Sequence, residues 1–153
     1  SADPVFVALR VKASNTLAGM ASFLEIRPEA GVIEIGNIWF APPHQRTPGM
    51  TEALFLMIKH AMDDLGNRRL EWKCNALNQP SRQAALRLGF RFEGVFYNHV
   101  IPKGHSRDSA YYSILDSEWP AVRDNFGRWL NPRNFDAQDR QKLSLSELNQ
   151  GLW

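Results

Sequence analysis

Asn78-Gln-Pro-Ser81-Arg-Gln-Ala-Ala-Leu-Arg-Leu-Gly89-Phe90 carries a polar cap, one short helix, a glycine stop and an aromatic strand start in immediate succession. Asn, Ser and Pro open helices because a side-chain oxygen accepts an orphan backbone N–H and Pro has no N–H to leave unpaired. Ala84, Ala85 and Leu88 fall on one face, and Gly89 supplies the residue that tolerates a left-handed exit. Ser81 has two readings: an N-cap following Pro80, or a first-turn residue capped by Asn78. Immediately upstream, Leu70, Trp72 and Cys74 alternate with Glu71 and Lys73, the period of a strand.

Outward from this segment the chain divides cleanly. Val5 to Val11, Leu17 to Ile26 and Val32 to Phe40 read as strands joined by short turns, an antiparallel meander. Gly36-Asn37 inside the third marks a bulge or a close backbone approach. Ala41 to Gly49 is a Pro-rich loop. Leu54, Met57, Ile58, Ala61, Met62 and Leu65 then form one helical stripe, predicting a helix over 51–65 with Glu52 in its first turn and Gly66-Asn67 as its stop. Phe90 to Val100 and Ser109 to Leu115 are two further strands around the polar loop Pro102 to Arg107. Asp116-Ser117 is placed to cap a last helix buried through Trp119, Val122, Phe126, Trp129 and Leu130. Beyond Asn131 the tail turns polar, with Leu143, Leu145, Leu148 and Trp153 available to dock it or meet a partner. The order predicts an α+β domain over 1–130, a mixed, mostly antiparallel sheet with flanking helices, followed by a tail at 131–153.

Composition narrows the function classes. The chain has 153 residues, 44% hydrophobic and 22% charged, which fits one soluble domain. A net charge of +2 is too small to drive nucleic-acid or membrane binding through bulk field, despite a pI near 8.9. One cysteine precludes an internal disulfide and a cysteine-rich zinc site, and points to a reducing, cytoplasmic setting. His44, His60, His99 and His105 show no ligand spacing, so no metal is expected. The opening Ser1-Ala-Asp-Pro4, without an initiator methionine, reads as a fragment or trimmed start.

The strand, polar loop, short helix and Gly-Phe succession resembles the second half of the acetyl-CoA site in the GNAT superfamily of N-acetyltransferases, closest to the RimJ/RimL-type branch, where the pattern is Asn-x-x-Ser, a helix, then Gly-Phe. The resemblance covers Val5 to about Leu130 but not the family's opening strand and two helices. It implies the GNAT fold, acetyl-CoA as cosubstrate, a primary amine as acceptor (a protein N-terminus or a small amine) and a carrier arm entering where Val32–Phe40 diverges from Leu70–Asn75. The arm would pair with the backbone of Ile38, Trp39 and Phe40. A backbone N–H near Gly36-Asn37 would face the thioester oxygen. Relatives that dimerise make a homodimer an expectation as well.

An acyl-CoA enzyme must hold a diphosphate, and a helix N-terminus offers free N–H groups and a positive dipole end. The family signature Gln/Arg-x-x-Gly-x-Gly/Ala falls on Gln45 in the gapless register, with Pro48 and Met50 in place of both glycines; a register shifted by one places Arg46, Gly49 and Thr51 on it. Pro48 offers no N–H. The amides of Arg46, Thr47, Gly49, Met50 and Thr51 remain, with Arg46 adding charge.

Transfer from a thioester to an amine needs a neutral amine, a donor for the developing oxyanion and a partner for the leaving thiolate. The resemblance makes Ser81 the thiolate partner and Asn78 a carrier or capping residue. Glu34 is a candidate base, against the alternative of a solvated edge-strand carboxylate. His99 competes, since histidine titrates near neutral pH. Tyr111 and Tyr112 alternate faces, so one packs inward and the other can reach the acceptor groove. Asp108 either orients the amine or fixes the loop. Cys74 reads as a small buried residue rather than a nucleophile. Two other classes compete with an active transferase. One is an acyl-CoA-binding module with little activity. The other is a nucleic-acid binder stacking bases on Trp39, Trp72, Phe92 and Tyr97, for which charge and motif are both lacking.

Overall fold

The computed structural model describes residues 3–153; Ser1 and Ala2, the first half of the opening tetrapeptide, lie outside the described residues. The chain forms two compact units, one up to Leu70 and one from Glu71 onward.

In the first unit, β1 (Val5–Val11), β2 (Thr16–Arg27) and β3 (Val32–Phe40) form the expected antiparallel meander. The register of β2 and β3 slips between Ser22↔Gly36 and Met20↔Trp39, which places a bulge at Asn37. Asn37, not Gly36, adopts the left-handed conformation (φ 50°). Its short side chain makes that tolerable: Nδ2 donates to Ser22 Oγ at 2.9 Å. Gly36 serves another purpose, since a Cβ there would stand 2.9 Å from Leu24 Cδ2.

The first helix, α1 (Pro48–Lys59), starts earlier than expected. Thr47 is its N-cap and Pro48 its first residue, where a missing N–H leaves nothing unpaired. Glu52 therefore lies beyond the first turn. Thr51, Leu54, Met57 and Ile58 are buried, each large apolar chain contributing roughly 1.5–3 kcal/mol. From His60 to Asp64 the helix widens into a π-helical turn that keeps Ala61 and Met62 inside. The wider turn rotates the following residue outward, so Leu65, expected on the buried stripe, is 53% exposed.

The second unit contains most of β4 (Arg69–Asn75), then α2 (Gln79–Arg87), β5 (Arg91–Val100), β6 (Arg107–Leu115), α3 (Trp119–Leu130) and a short α4 (Leu145–Asn149). Its strands run in the order β4-β6-β5, with β5 and β6 antiparallel. At the end of α2, Phe90 N–H donates to Ala85 O (3.0 Å) and Gly89 N–H to Leu86 O (3.1 Å), the paired bonds of a Schellman exit. Gly89 has φ 92°, and a Cβ there would meet Val122 at 2.9 Å. Phe90 is fully buried against Trp72.

Two expectations need correction here. Asp116 and Ser117 do not cap α3: Glu118 is the N-cap residue, its carboxylate accepts from Leu115 N–H at 3.0 Å, and Asp116 Oδ1 reaches only Ser117 N–H. Leu130 is half-buried; Asn125 takes its place on the inner face. The tail docks through Leu145, which is fully buried, and through Asn125 and Asn149. Asn125 Nδ2 donates to Leu148 O (2.9 Å) and Asn149 Nδ2 to Arg87 O (2.8 Å). No helix among the described residues is long and apolar enough to cross a membrane.

Candidate active site

The chain enters both α1 and α2 from the end of a strand, and in both a side-chain oxygen caps the helix. At the mouth of α1, Gln45 Nε2 donates to Phe40 O (2.9 Å), which folds the loop back on the end of β3. Arg46 sits in the left-handed region (φ 58°) and is exposed. Thr47 Oγ1 donates to His44 O (2.8 Å). Met50 N–H turns back on Thr47, 3.2 Å from its carbonyl and 3.4 Å from its hydroxyl. That amide is engaged, and Thr51 is buried. Of the five amides the sequence offered, those of Arg46, Thr47 and Gly49 have no acceptor among the described residues.

Beside this loop lies a groove of about 270 Å³, whose lining includes Arg10, Lys12, His44, Thr47, Met50 and Leu56. Arg10 comes from the far end of β1 and Lys12 from the turn after it, and nothing in the local pattern of the α1 loop announces them. Arg10 is partly engaged through Nη1 to Asn15 O (2.7 Å).

On β3, Phe40 is buried, Ile38 half-buried and Trp39 56% exposed. Glu34 is 6% exposed and is not without a partner, so the solvated edge-strand reading is overturned. Val32 through Ile35 are all covered, because this part of the strand is buried on both faces.

The mouth of α2 resolves the two readings of Ser81. Asn78 is the N-cap, and its Oδ1 accepts from Ser81 N–H at 3.2 Å. The Ser81 hydroxyl has no capping duty. It accepts from Trp72 Nε1–H at 3.1 Å. An indole N–H only donates, so the serine oxygen must be the acceptor and its own proton points elsewhere. Among the described residues nothing takes that proton. The loop before α2 is pinned on both sides: Ala76 N–H donates to Asp108 O (2.8 Å), and Ala76 O accepts from Arg82 Nη1 (3.2 Å). Arg82 Nε donates to Tyr112 Oη (3.0 Å), a bond that raises the guanidinium pKa further above its usual value. Sequence reasoning missed Trp72 and Arg82. Trp72 lies on the buried face of β4 together with Cys74, and alternation says only that it packs.

On the β5–β6 hairpin, Tyr112 is the buried tyrosine and Tyr111 is half-exposed. Asp108 fixes the loop: its carboxylate accepts from Asn98 N–H at 2.8 Å. His99 has both ring nitrogens engaged, Nδ1 with Ser109 Oγ (2.9 Å) and Nε2 with Tyr111 Oη (3.2 Å). Cys74 is buried and free. Burial of Trp72 removes it from any base-stacking surface with Trp39, Phe92 and Tyr97. No group of three or more His, Cys, Asp or Glu among the described residues could hold a metal ion.

A family described as acetyltransferase (GNAT) domain matches residues 2–91. Over 105 residues the chain is 33% identical to the ribosomal-protein-serine acetyltransferase of Escherichia coli (strain K12), a match covering 68% of this chain and 58% of that protein. The chain therefore spans under three fifths of the length of this curated relative. A crystal structure of a GCN5-related N-acetyltransferase from Brucella melitensis superposes with a TM-score of 0.93 at 49% identity, covering 97% of this chain and 67% of that one.

Proposed function

The chain belongs to the GNAT acetyltransferase family, and on that premise we propose that it moves an acetyl group from acetyl-CoA directly to a primary amine. A protein N-terminus is the first acceptor to test and a small amine the second. The name of the Escherichia coli relative supports that order. The transferase domain is read as 1–130, with 131–153 as its tail, working in a reducing cytoplasm. Carrier contacts are assigned to Ile38, Trp39, Phe40, Gln45, Arg46, Thr47, Gly49, Met50, Asn78 and Ser81, with Thr51, expected among them, buried behind the loop. The diphosphate rests on the Arg46, Thr47 and Gly49 amides, with the Arg46 guanidinium adding charge.

The observation that carries the reading is the Ser81 hydroxyl, held as an acceptor by Trp72, with no acceptor for its own proton among the described residues. The neutral amine attacks the thioester carbon, the C–N bond forms and the C–S bond breaks. The Ser81 O–H then donates a hydrogen bond to the sulfur as negative charge collects there. Donation from Trp72 polarises that O–H and strengthens the bond it can give. The amine's extra proton passes to a base, with Glu34 and His99 as candidates, and the thiolate leaves to be protonated by solvent. The thiolate partner thus acts only in the transition state and product, where stabilisation raises kcat.

Calorimetric titration of acetyl-CoA, followed by thiol release against a serine-initiated peptide and small amines, tests the proposal. Binding with turnover is expected. Binding without thiol release from any acceptor would make the chain an acyl-CoA-binding module. Failure to bind overturns both.

A further inference from the structure

The β5–β6 hairpin carries a second constellation that packing alone does not explain. The register of β5 on β6 slips between Phe96↔Ser109 and Val100↔Arg107, so Tyr97, Asn98 and His99 bulge opposite a single residue, Asp108. Asn98 takes a left-handed conformation (φ 48°). Its N–H is tied to Asp108 Oδ1 at 2.8 Å and its side-chain oxygen to Ser106 Oγ at 2.9 Å. A bulge held this firmly re-aims the side chain beside it. Here it turns His99 onto β6, where Ser109 Oγ meets Nδ1 and Tyr111 Oη meets Nε2. Phe96 stacks on Tyr111 with centroids 4.1 Å apart and meets His99 edge-on at 5.4 Å, which limits the freedom of both rings.

We propose that Tyr111 is a catalytic residue for the acetyl transfer and that His99 acts behind it, the two forming a proton relay that takes the amine's proton. This rests on the transferase reading above. In the resting relay Tyr111 donates to Nε2, so neutral His99 carries its proton on Nδ1 and donates it to Ser109, a buried hydroxyl. As the C–N bond forms, the amine proton moves to Tyr111 Oη while the tyrosine's own proton moves to His99 Nε2. His99 ends as an imidazolium that donates on both sides, to Ser109 Oγ and to Tyr111 Oη. One proton leaves the amine and one arrives on the imidazole. The tyrosine is unchanged.

The surroundings suit this traffic. From β4, the Lys73 ammonium lies 5.1 Å from the Tyr111 ring centroid, a cation–π contact that helps hold the ring in place. Lys73 is in turn 3.3 Å from the Glu71 carboxylate, so the pair adds little net charge against the imidazolium. A packing cluster would need the rings but not a partner on each imidazole nitrogen. The relay needs both, because a hydroxyl that accepts from Nδ1–H leaves Nε2 as the acceptor.

Thiol release from acetyl-CoA, with a serine-initiated peptide as acceptor, is measured for the full chain and for Tyr111→Phe, His99→Gln and the double variant. Each single substitution is expected to lower kcat about 100-fold, the lower end of the range for a general base, and to leave the KM for acetyl-CoA within about twofold. The double variant should be no slower than the slower single one, since the two act as one unit. Added imidazole should partly restore His99→Ala, because the ring it replaces is exposed. Ring-nitrogen NMR of the resting chain should show Nε2 as an acceptor, and Tyr111→Phe should shift that signal, whatever the activity. Unchanged kcat in Tyr111→Phe, multiplying losses, absent rescue or an unmoved Nε2 signal overturns the relay alone. An unaltered chain that releases no thiol overturns the transferase reading, and the relay with it.

Discussion

The mouths of α1 and α2 look alike in sequence and differ in use. Each follows a strand, each has a proline in its first turn and each is capped by a side-chain oxygen, Thr47 in one and Asn78 in the other. At α1 the capping residue is also the loop's anchor, and Met50 N–H is drawn back onto it. What is left facing outward is backbone and the Arg46 charge, a surface suited to holding an anion. At α2 the cap satisfies the backbone through Ser81 N–H and leaves the Ser81 side chain to a different partner. A helix mouth can thus serve ground-state binding or a reacting atom, depending on whether the cap consumes its neighbours or frees them. The first should show in KM and the second in kcat.

Ser81→Ala is the hardest test of that division. It removes the only group assigned to the leaving sulfur, and kcat should fall about 100-fold. The KM for acetyl-CoA should stay within about threefold. Trp72→Phe keeps the ring and deletes the N–H, so a loss of only several-fold is expected, and none when Ser81 is already alanine. Steady-state kinetics on the two single variants and the double one decide it. A KM effect as large as the kcat effect would erase the distinction between the two mouths.

Arg46→Ala should act the other way. Losing one charge-assisted contact to a diphosphate raises the acetyl-CoA KM about 5- to 10-fold, equivalent to about 1–1.4 kcal/mol, with kcat kept. Calorimetry gives the same number as a weaker Kd. If Arg46→Ala slows turnover and leaves binding intact, the α1 mouth is not the anion site.

The caps themselves should be equivalent as structural devices. Asn78→Ala and Thr47→Ala should each cost about 1 kcal/mol in urea unfolding, and Asn78→Ser or Thr47→Ser should recover most of it. Only Asn78→Ala should also lower kcat, because only there does the cap position a reacting side chain.

How far the sequence could show this difference depends on the range of the interactions involved. Strand and helix identities were legible because period-two and period-3.6 burial are local. Asn37 and Gly36 announced a bulge because positive φ and close approach restrict residue type. Ser81 stayed open between two roles, since both place the same residue in the first turn and only the Trp72 bond separates them. Arg10 and Lys12 reach the α1 groove from the end of another strand and its turn, and no spacing within the loop encodes that. The solvated alternative for Glu34 arose because alternation assumes one wet face, and that part of β3 has none. Leu65 fell off the stripe because one π-helical turn breaks a period the sequence continues.

The smallest expected effect lies at the far end of α2, where its C-terminal carbonyl is held by the tail. Asn149, the last residue of α4, donates to Arg87 O, and α4 is closed by a capping box of Ser144 and Glu147. Bonds from the Ser144 backbone N–H and then its hydroxyl hold the Glu147 carboxyl below its ordinary pKa. A depressed carboxyl pKa favours the folded form above the unfolded-state value and loses that contribution as pH falls through the folded-state value. The box should therefore stand intact at neutral pH and loosen only in acid, below the usual glutamate range. Amide exchange should show α4 losing protection there before β5 and β6 do. Glu147→Gln should remove the pH dependence, with protection at neutral pH reduced slightly. If Ser81 is positioned from the α2 mouth alone, turnover should not follow the loosening of α4. Turnover that falls in step with it, and stays level in Glu147→Gln, would show that both ends of α2 set the Ser81 hydroxyl. The contrast between the two helix mouths would then extend to the tail.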